Sequence, residues 1–200
     1  MKKIILIGAG GHAESCLDVI NLTKKFKILG FIDKDKKKNI LNYKVLGDEN
    51  YIKRIKKKSF GLHISLGFIK SPKKRIKIFN EFKKLKFFFP VIISPQAYVS
   101  KNAKILDGTI IHHNVVINFG AKIGCNNIIN TSAIIEHGAR IEDNCHISTR
   151  VVINGGVLVG KNTFIGSGAI IREGIKIGKN CFIGMGKVVT RNLKDNSILK

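Results

Sequence analysis

Between Val99 and Ile183 an aliphatic residue recurs at every sixth position without a break: Val99, Ile105, Ile111, Ile117, Ile123, Ile129, Ile135, Ile141, Ile147, Ile153, Val159, Ile165, Ile171, Ile177 and Ile183. No α-helix has that period. A six-residue repeat describes a parallel β-helix in which each coil of about eighteen residues contributes three short flat strands and successive coils stack about 4.8 Å apart. The coil is visible in the sequence, since VGKNTFIG beginning at 159 recurs as IGKNCFIG beginning at 177. The position two before the next aliphatic is small at Ala121, Ala133, Ala139, Cys145, Val157, Ala169 and Cys181, so that column also points inward.

The residue just before each aliphatic then points outward, and taking every eighteenth one separates three faces. One carries Val116, Ile134, Val152, Ile170 and Val188; a second carries Ile110, Ile128, His146, Phe164 and Phe182; the third carries Lys122, Arg140, Leu158 and Lys176. Two apolar stripes are more than a monomer normally exposes, so both are expected to be buried against copies of the chain, closed as a cyclic trimer. His146 interrupts the second stripe. An imidazole there is either satisfied by hydrogen bonds at a subunit contact, or serves as a general base, a donor to a carbonyl or a metal ligand. His137 falls at a turn beside Glu136, which stacks between Asn118 and Asn154 of the neighbouring coils.

The first 92 residues have other periods. KKIILIG, KILGFID and GLHISLG read as strands, and HAESCLDVINL, YIKRIKKK and PKKRIKIFNEFKKLK as helices, which gives a Rossmann-like βαβ domain with a parallel sheet over 1–92 and a β-helix over 93–200. The turn GAGGHA follows the first strand and opens the first helix, where bare backbone N–H groups and the helix dipole suit a phosphate. Asp33, about twenty residues on, completes an approximate dinucleotide fingerprint that serves any phosphate-bearing ligand.

Lys and Arg number 36 against 13 Asp and Glu, a net charge of +23. Much of it is lysine spread through residues 24–86 without the aromatic and glycine signature of an RNA-binding sheet, so it reads as solvated helix faces rather than a nucleic-acid interface. Such a field also steers anionic small molecules. No run of apolar residues is long enough to insert in a membrane, and the start reads as strand and turn rather than a signal peptide, so a soluble cytoplasmic protein is expected. Cys16, Cys125, Cys145 and Cys181 form no CxxC pair and are expected reduced.

With GAGGHAESCLDVI at the start, GFIDKD after the second strand and NTSAIIEHGARIEDNCHIS within the repeats, the chain resembles the sugar acyltransferases of the sialic acid O-acetyltransferase type. It is most similar to the bacterial nucleotide-sugar 4-amino N-acetyltransferases that act on UDP-bacillosamine or GDP-perosamine. The resemblance implies a left-handed β-helix, a homotrimer, an N-terminal domain that holds the nucleotide-sugar, and acetyl-CoA lying between two β-helices, with no metal. It also implies His137 as general base and His146 as the histidine that meets the acetyl thioester. Asn130 would lie beside the acceptor amine, and Gly10, Gly11, His12, Asp33, Lys34 and Gly67 in the nucleotide-sugar site. Backbone amides near Gly155, Ser167 and Met185 would face the pantetheine. Relatives carry an acidic residue directly after the base; Gly138 stands there, so Glu136 is expected to orient His137.

An imidazole, with an ordinary pKa of about 6.5, is suited to taking a proton from a sugar amine. His146 or a backbone N–H would donate to the oxyanion, and without a positioned serine or cysteine the transfer would be direct. Three alternatives remain open at this stage: sialic acid-type O-acetylation, a zinc site of the hexapeptide carbonic anhydrase kind, and a non-enzymatic trimeric nucleotide-sugar-binding protein.

Overall fold

A computed structural model describes residues 1–35, 39–55 and 59–200. The N-terminal unit runs β1 (Lys2–Ile7), α1 (Gly11–Thr23), β2 (Phe26–Ile32), β3 (Asn39–Ile40), β4 (Tyr43–Gly47), α2 (Glu49–Arg54), β5 (Phe60–Ile64) and α3 (Lys73–Lys84). Residues 56–58, the expected tail of the second helix, lie outside the described residues. The sheet order is β3-β4-β2-β1-β5, parallel except for the β3–β4 hairpin. That hairpin escapes the sequence reading because β3 is only two residues long.

A strand covered on both faces needs a continuous apolar run, which is what β1 supplies. Ile4 and Leu6 pack on the α1 side with Ala13, Cys16, Leu17 and Ile20, while Ile5 and Ile7 pack on the other with Ile52, Ile78 and Phe82. Helix α1 opens at Gly10, α2 is capped by Asp48, whose side chain accepts from Asn50 N and Tyr51 N, and α3 follows Pro72.

From Ile92–Ile93 onward the chain forms two-residue strands at each hexad, stacked as parallel sheets of six, five and seven strands around the register aliphatics. The second stripe corrects the expectation of burial against another copy. Ile110 and Ile128 share one core with α1, and Phe68, after β5, lies edge-on to His146, with ring centroids 5.5 Å apart. The chain's own N-terminal unit therefore covers the seven-stranded sheet from Ile110 to Phe164, while Ile198 at its far end is 67% exposed. The first stripe, on the six-stranded sheet, stays open, with Ile170 41% and Val188 63% exposed. The Lys122–Arg140–Lys176 face is exposed as expected.

Asn126, Asn144, Asn162, Asn180 and Asn196 hold left-handed turns at one corner, and the Nδ2 of each of the first four donates to the next Oδ1 at 2.9–3.3 Å. All four cysteines are free, with Cys145 and Cys181 in the β-helix core.

Candidate active site

The C-terminal ends of the parallel strands open onto two clefts, the usual place for a ligand in such a sheet. One, of about 380 Å³, is lined by Gly8, Asp33, Lys34, Asp48, Asn50, Lys53 and Lys74 among others. The other, of about 650 Å³, brings Gly10, Gly11, His12 and Gly67 together with Phe68, Lys70 and His146. Gly67 is closely packed, since a Cβ there would lie 3.4 Å from Cβ and Cγ of His12. Asp33 has a structural task as well: Oδ2 accepts from Ala9 N at 2.9 Å and Oδ1 from Asp35 N at 3.1 Å, so its carboxylate pins the glycine turn.

His146 Nδ1 lies 2.7 Å from the Phe68 carbonyl. A carbonyl only accepts, so Nδ1 carries the proton. Burial lowers the His146 pKa to about 4, against the raising effect of the Phe68 bond and helped by the nearby Arg75 charge, so the ring is neutral at pH 7 and Nε2 bears a lone pair. Nε2 is buried with no hydrogen-bond partner among the described residues. In this tautomer His146 has no proton to give an oxyanion through Nε2.

The loop presenting Phe68 is held by Arg75, 2% exposed, whose guanidinium donates to Ile64 O at 2.6 Å, Leu66 O at 2.7 Å, and both Asn126 O at 3.2 Å and Asn126 Oδ1 at 2.8 Å. It therefore ties α3 and the loop to the top of the asparagine ladder. Burial lowers its pKa to about 10, which leaves it charged at neutral pH.

His137 is exposed, at the corner between the six- and five-stranded sheets, and its ring lies over Gly155 one coil on. A Cβ on Gly155 would come within 2.7 Å of His137 Cε1 and Nε2. Glu136 does not orient His137: its Oε2 accepts from Asn118 Nδ2 at 2.8 Å, and no hydrogen bond joins it to the imidazole among the described residues. Asn130, Ser167 and Met185 share the next corner, between the seven- and six-stranded sheets; Asn130 Oδ1 accepts from Thr131 N, Ser167 pairs with Ser148 at 2.9 Å, and Met185 is 80% exposed. In a three-sided prism the His137 corner is the one opposite the seven-stranded sheet that carries His146. One chain therefore does not bring His137 and His146 together, although both corners border the open apolar face.

Beneath the glycine turn, His12, Cys16 and His112 place possible ligand atoms within 4.8 Å of one another, the one such trio among the described residues. Burial, with neighbouring imidazoles and Arg75, lowers His12 to about 3; burial, then His113 and His146, lowers His112 to about 4; and burial pushes the Cys16 thiol up to about 12. A dication there would sit near Arg75 with one thiolate to offset it. The neutral arrangement seen, with Cys16 Sγ 3.5 Å from His12 Nε2, suits a packed seam better than a metal centre. Burial likewise pushes Cys145 up to about 12, which disfavours a thiolate nucleophile.

Phe68 and Arg75 are the functional residues that the sequence reading missed. A signal for Arg75 was present: it falls on the 75, 78, 79, 82 apolar register of α3, an unusual place for a cation. Phe68 left none, because its contribution is a backbone carbonyl.

Residues 3–82 match the PglD N-terminal domain family, and residues 156–191 match the hexapeptide repeat of succinyl-transferase. With a hexapeptide β-helix behind a small α/β sheet, the chain is an acyltransferase of the left-handed β-helix class. More narrowly, it is similar over nearly its whole length to nucleotide-sugar amino N-acetyltransferases. PerB from Caulobacter crescentus, solved with CoA and GDP-perosamine, is 28% identical and superposes with a TM-score of 0.91 over 98% of this chain and 92% of that one. The acetyltransferase domain of PglB from Neisseria gonorrhoeae FA1090, solved with acetyl coenzyme A, is 25% identical, with a TM-score of 0.93 over 98% and 95%. WeeI from Acinetobacter baumannii AYE, at 20% identity and a TM-score of 0.85, shares the fold. No curated protein matches the chain in sequence.

Proposed function

We propose that this acyltransferase moves the acetyl group of acetyl-CoA to the 4-amino group of a nucleotide-linked amino sugar in bacterial glycan biosynthesis. The observation that carries this reading is the likeness, over 98% of the chain, to a perosamine N-acetyltransferase from Caulobacter crescentus solved with CoA and GDP-perosamine. Residues 1–92 hold the nucleotide-sugar and residues 93–200 carry the transfer. The nucleoside lies in the Asp33–Lys34 cleft, and the phosphates lie against Gly10, Gly11 and His12 at the start of α1, where N–H groups point outward.

His137 takes a proton from the sugar amine, the nitrogen lone pair attacks the thioester carbonyl, and the tetrahedral intermediate collapses to expel the CoA thiolate, which is then protonated. His146 Nε2 accepts a hydrogen bond from an N–H of the bound substrates. Asn130 borders the acceptor, and Gly155, Ser167 and Met185 face the pantetheine.

The chain works as a homotrimer in the cytoplasm. The support is geometric: His137 and His146 lie on opposite sides of one prism, while the open Val116–Ile134–Val152–Ile170–Val188 face lies between the corners bearing His137 and Met185. A second copy seated there borders both corners and can bring its own covered face to His137. No helix among the described residues is long and apolar enough to cross a membrane.

The test is thiol release from acetyl-CoA with UDP- and GDP-linked 4-amino sugars, with sialic acid as the hydroxyl control. Turnover on a 4-amino sugar, lost in His137→Ala, supports the reading. Turnover on sialic acid alone would replace it with O-acetylation, and none on any acceptor would favour a binding protein.

A further inference from the structure

The chemistry above uses the C-terminal ends of the parallel strands and leaves the opposite end unexplained. There the starts of β1, β2 and β5 meet the segment after α3, and two shallow clefts share Met1, Lys2 and Phe26. One adds Phe60 and Phe88, the other Lys24 and Lys25. Among the described residues no carboxylate lines either cleft. Met1 is 81% and Phe88 51% exposed, and Lys2 Nζ lies 5.8 Å from the centre of the Phe88 ring. The segments leading here from α1 and α3 pass through lysines in the left-handed region, Lys24 at φ 54° and Lys86 at φ 62°, where glycine or asparagine is the relaxed choice. Cations therefore stand at this edge at some conformational cost.

We infer that this lysine- and phenylalanine-bearing end of the sheet docks the enzyme on an anionic phospholipid surface without spanning it. Lysines interleaved with exposed apolar side chains fit a headgroup layer, since the ammonium groups meet phosphates while the rings enter the boundary with the acyl chains. A solvated face needs the lysines but not Met1 and Phe88 beside them. A single-stranded nucleic acid would be drawn by the same charge but needs open aromatic platforms, and Phe26 and Phe60 are half-buried in the clefts. The substrate clefts lie at the far end of the same strands, so docking leaves them open, and this inference does not depend on which sugar they take.

The experiment is co-sedimentation of the full chain with vesicles of phosphatidylcholine alone or with about 30% phosphatidylglycerol, at about 0.15 M salt. Partition onto the anionic vesicles is expected to exceed that onto the neutral ones by at least about tenfold. The double variant Lys24→Glu/Lys25→Glu should lose most of that gain and Phe88→Ser a severalfold part of it, with melting temperatures near wild type. Lys101→Glu/Lys104→Glu removes the same charge from the β-helix and should bind as wild type. Equal loss in that control would show net charge acting without a site. Absence of vesicle binding, or retention on poly(U) RNA with none on vesicles, would overturn the inference.

Discussion

Gly155 lies beneath the imidazole of His137 so closely that a Cβ would stand 2.7 Å from both Cε1 and Nε2. Gly155 is not among the glycines with positive φ, so alanine there is conformationally permitted and its effect is steric. Gly155→Ala should displace the ring, and misplacement of a catalytic group by about 1 Å costs on the order of 100-fold in rate. We expect kcat to fall at least about tenfold with the melting temperature nearly unchanged, the site being half-buried. Wild-type turnover in Gly155→Ala would remove His137 as the base or show that its ring moves freely.

The Phe68 carbonyl fixes the His146 tautomer, which separates the packing of that residue from its chemistry. Asparagine can keep a donor on the Phe68 carbonyl while lacking anything at Nε2, whereas alanine lacks both. His146→Asn should therefore fold about as well as wild type, and His146→Ala should lose on the order of 1–3 kcal/mol for the stranded carbonyl. Both should lose turnover to a similar degree. Denaturant midpoints with kcat decide the matter; an Asn variant with wild-type kcat would end any role for Nε2.

The β-helix was legible because its register is local and repeats: each aliphatic from Val99 to Ile183 announces an inward position. What covers the outside was not, because the cover comes from elsewhere in the chain. Ile110 and Ile128 look the same in sequence as Ile134 and Ile170, yet α1 buries the first pair and leaves the second facing outward. The site divided the same way. His137, His146 and the glycine turn were recognisable by type and spacing, but the partner of His146 is a backbone carbonyl, and Glu136 proved bound to Asn118 rather than to His137.

Arg75 offers a test of how the two units are joined. Among the described residues its charge has no carboxylate partner; four bonds to three backbone carbonyl oxygens and the Asn126 side chain take that place. Arg75→Met fits the volume but strands those acceptors, at about 1–3 kcal/mol for each that water does not reach. Relief of the cation's burial offsets part of this. We expect a net loss on the order of 3 kcal/mol by urea unfolding, and a rise in KM for the nucleotide-sugar as the 64–68 loop loosens. Arg75→Lys should recover little, since an ammonium cannot reach that many oxygens from one plane. Full rescue by lysine would mean that charge alone matters there.

The buried histidines set a pH limit on the fold. In the unfolded chain they titrate near the ordinary 6.5, whereas burial holds His12 at about 3 and His112 and His146 at about 4 in the folded state. Below pH 6.5 the unfolded chain takes up protons that the folded chain refuses, so their contribution is complete above 6.5 and is lost as pH falls toward 4. His112 and His146 together account for on the order of 6 kcal/mol by pH 4, a large part of a typical folding margin. His63, also buried and lowered, acts in the same direction. Urea midpoints should be nearly level from pH 8 to 6.5 and fall steeply below. Carboxylates add to the loss at the acid end, so the informative comparison is His112→Gln, which takes up no proton there and should flatten the profile between pH 6.5 and 5. A wild-type profile that stays level down to pH 5 would mean that these imidazoles reach water or charge readily in the folded protein.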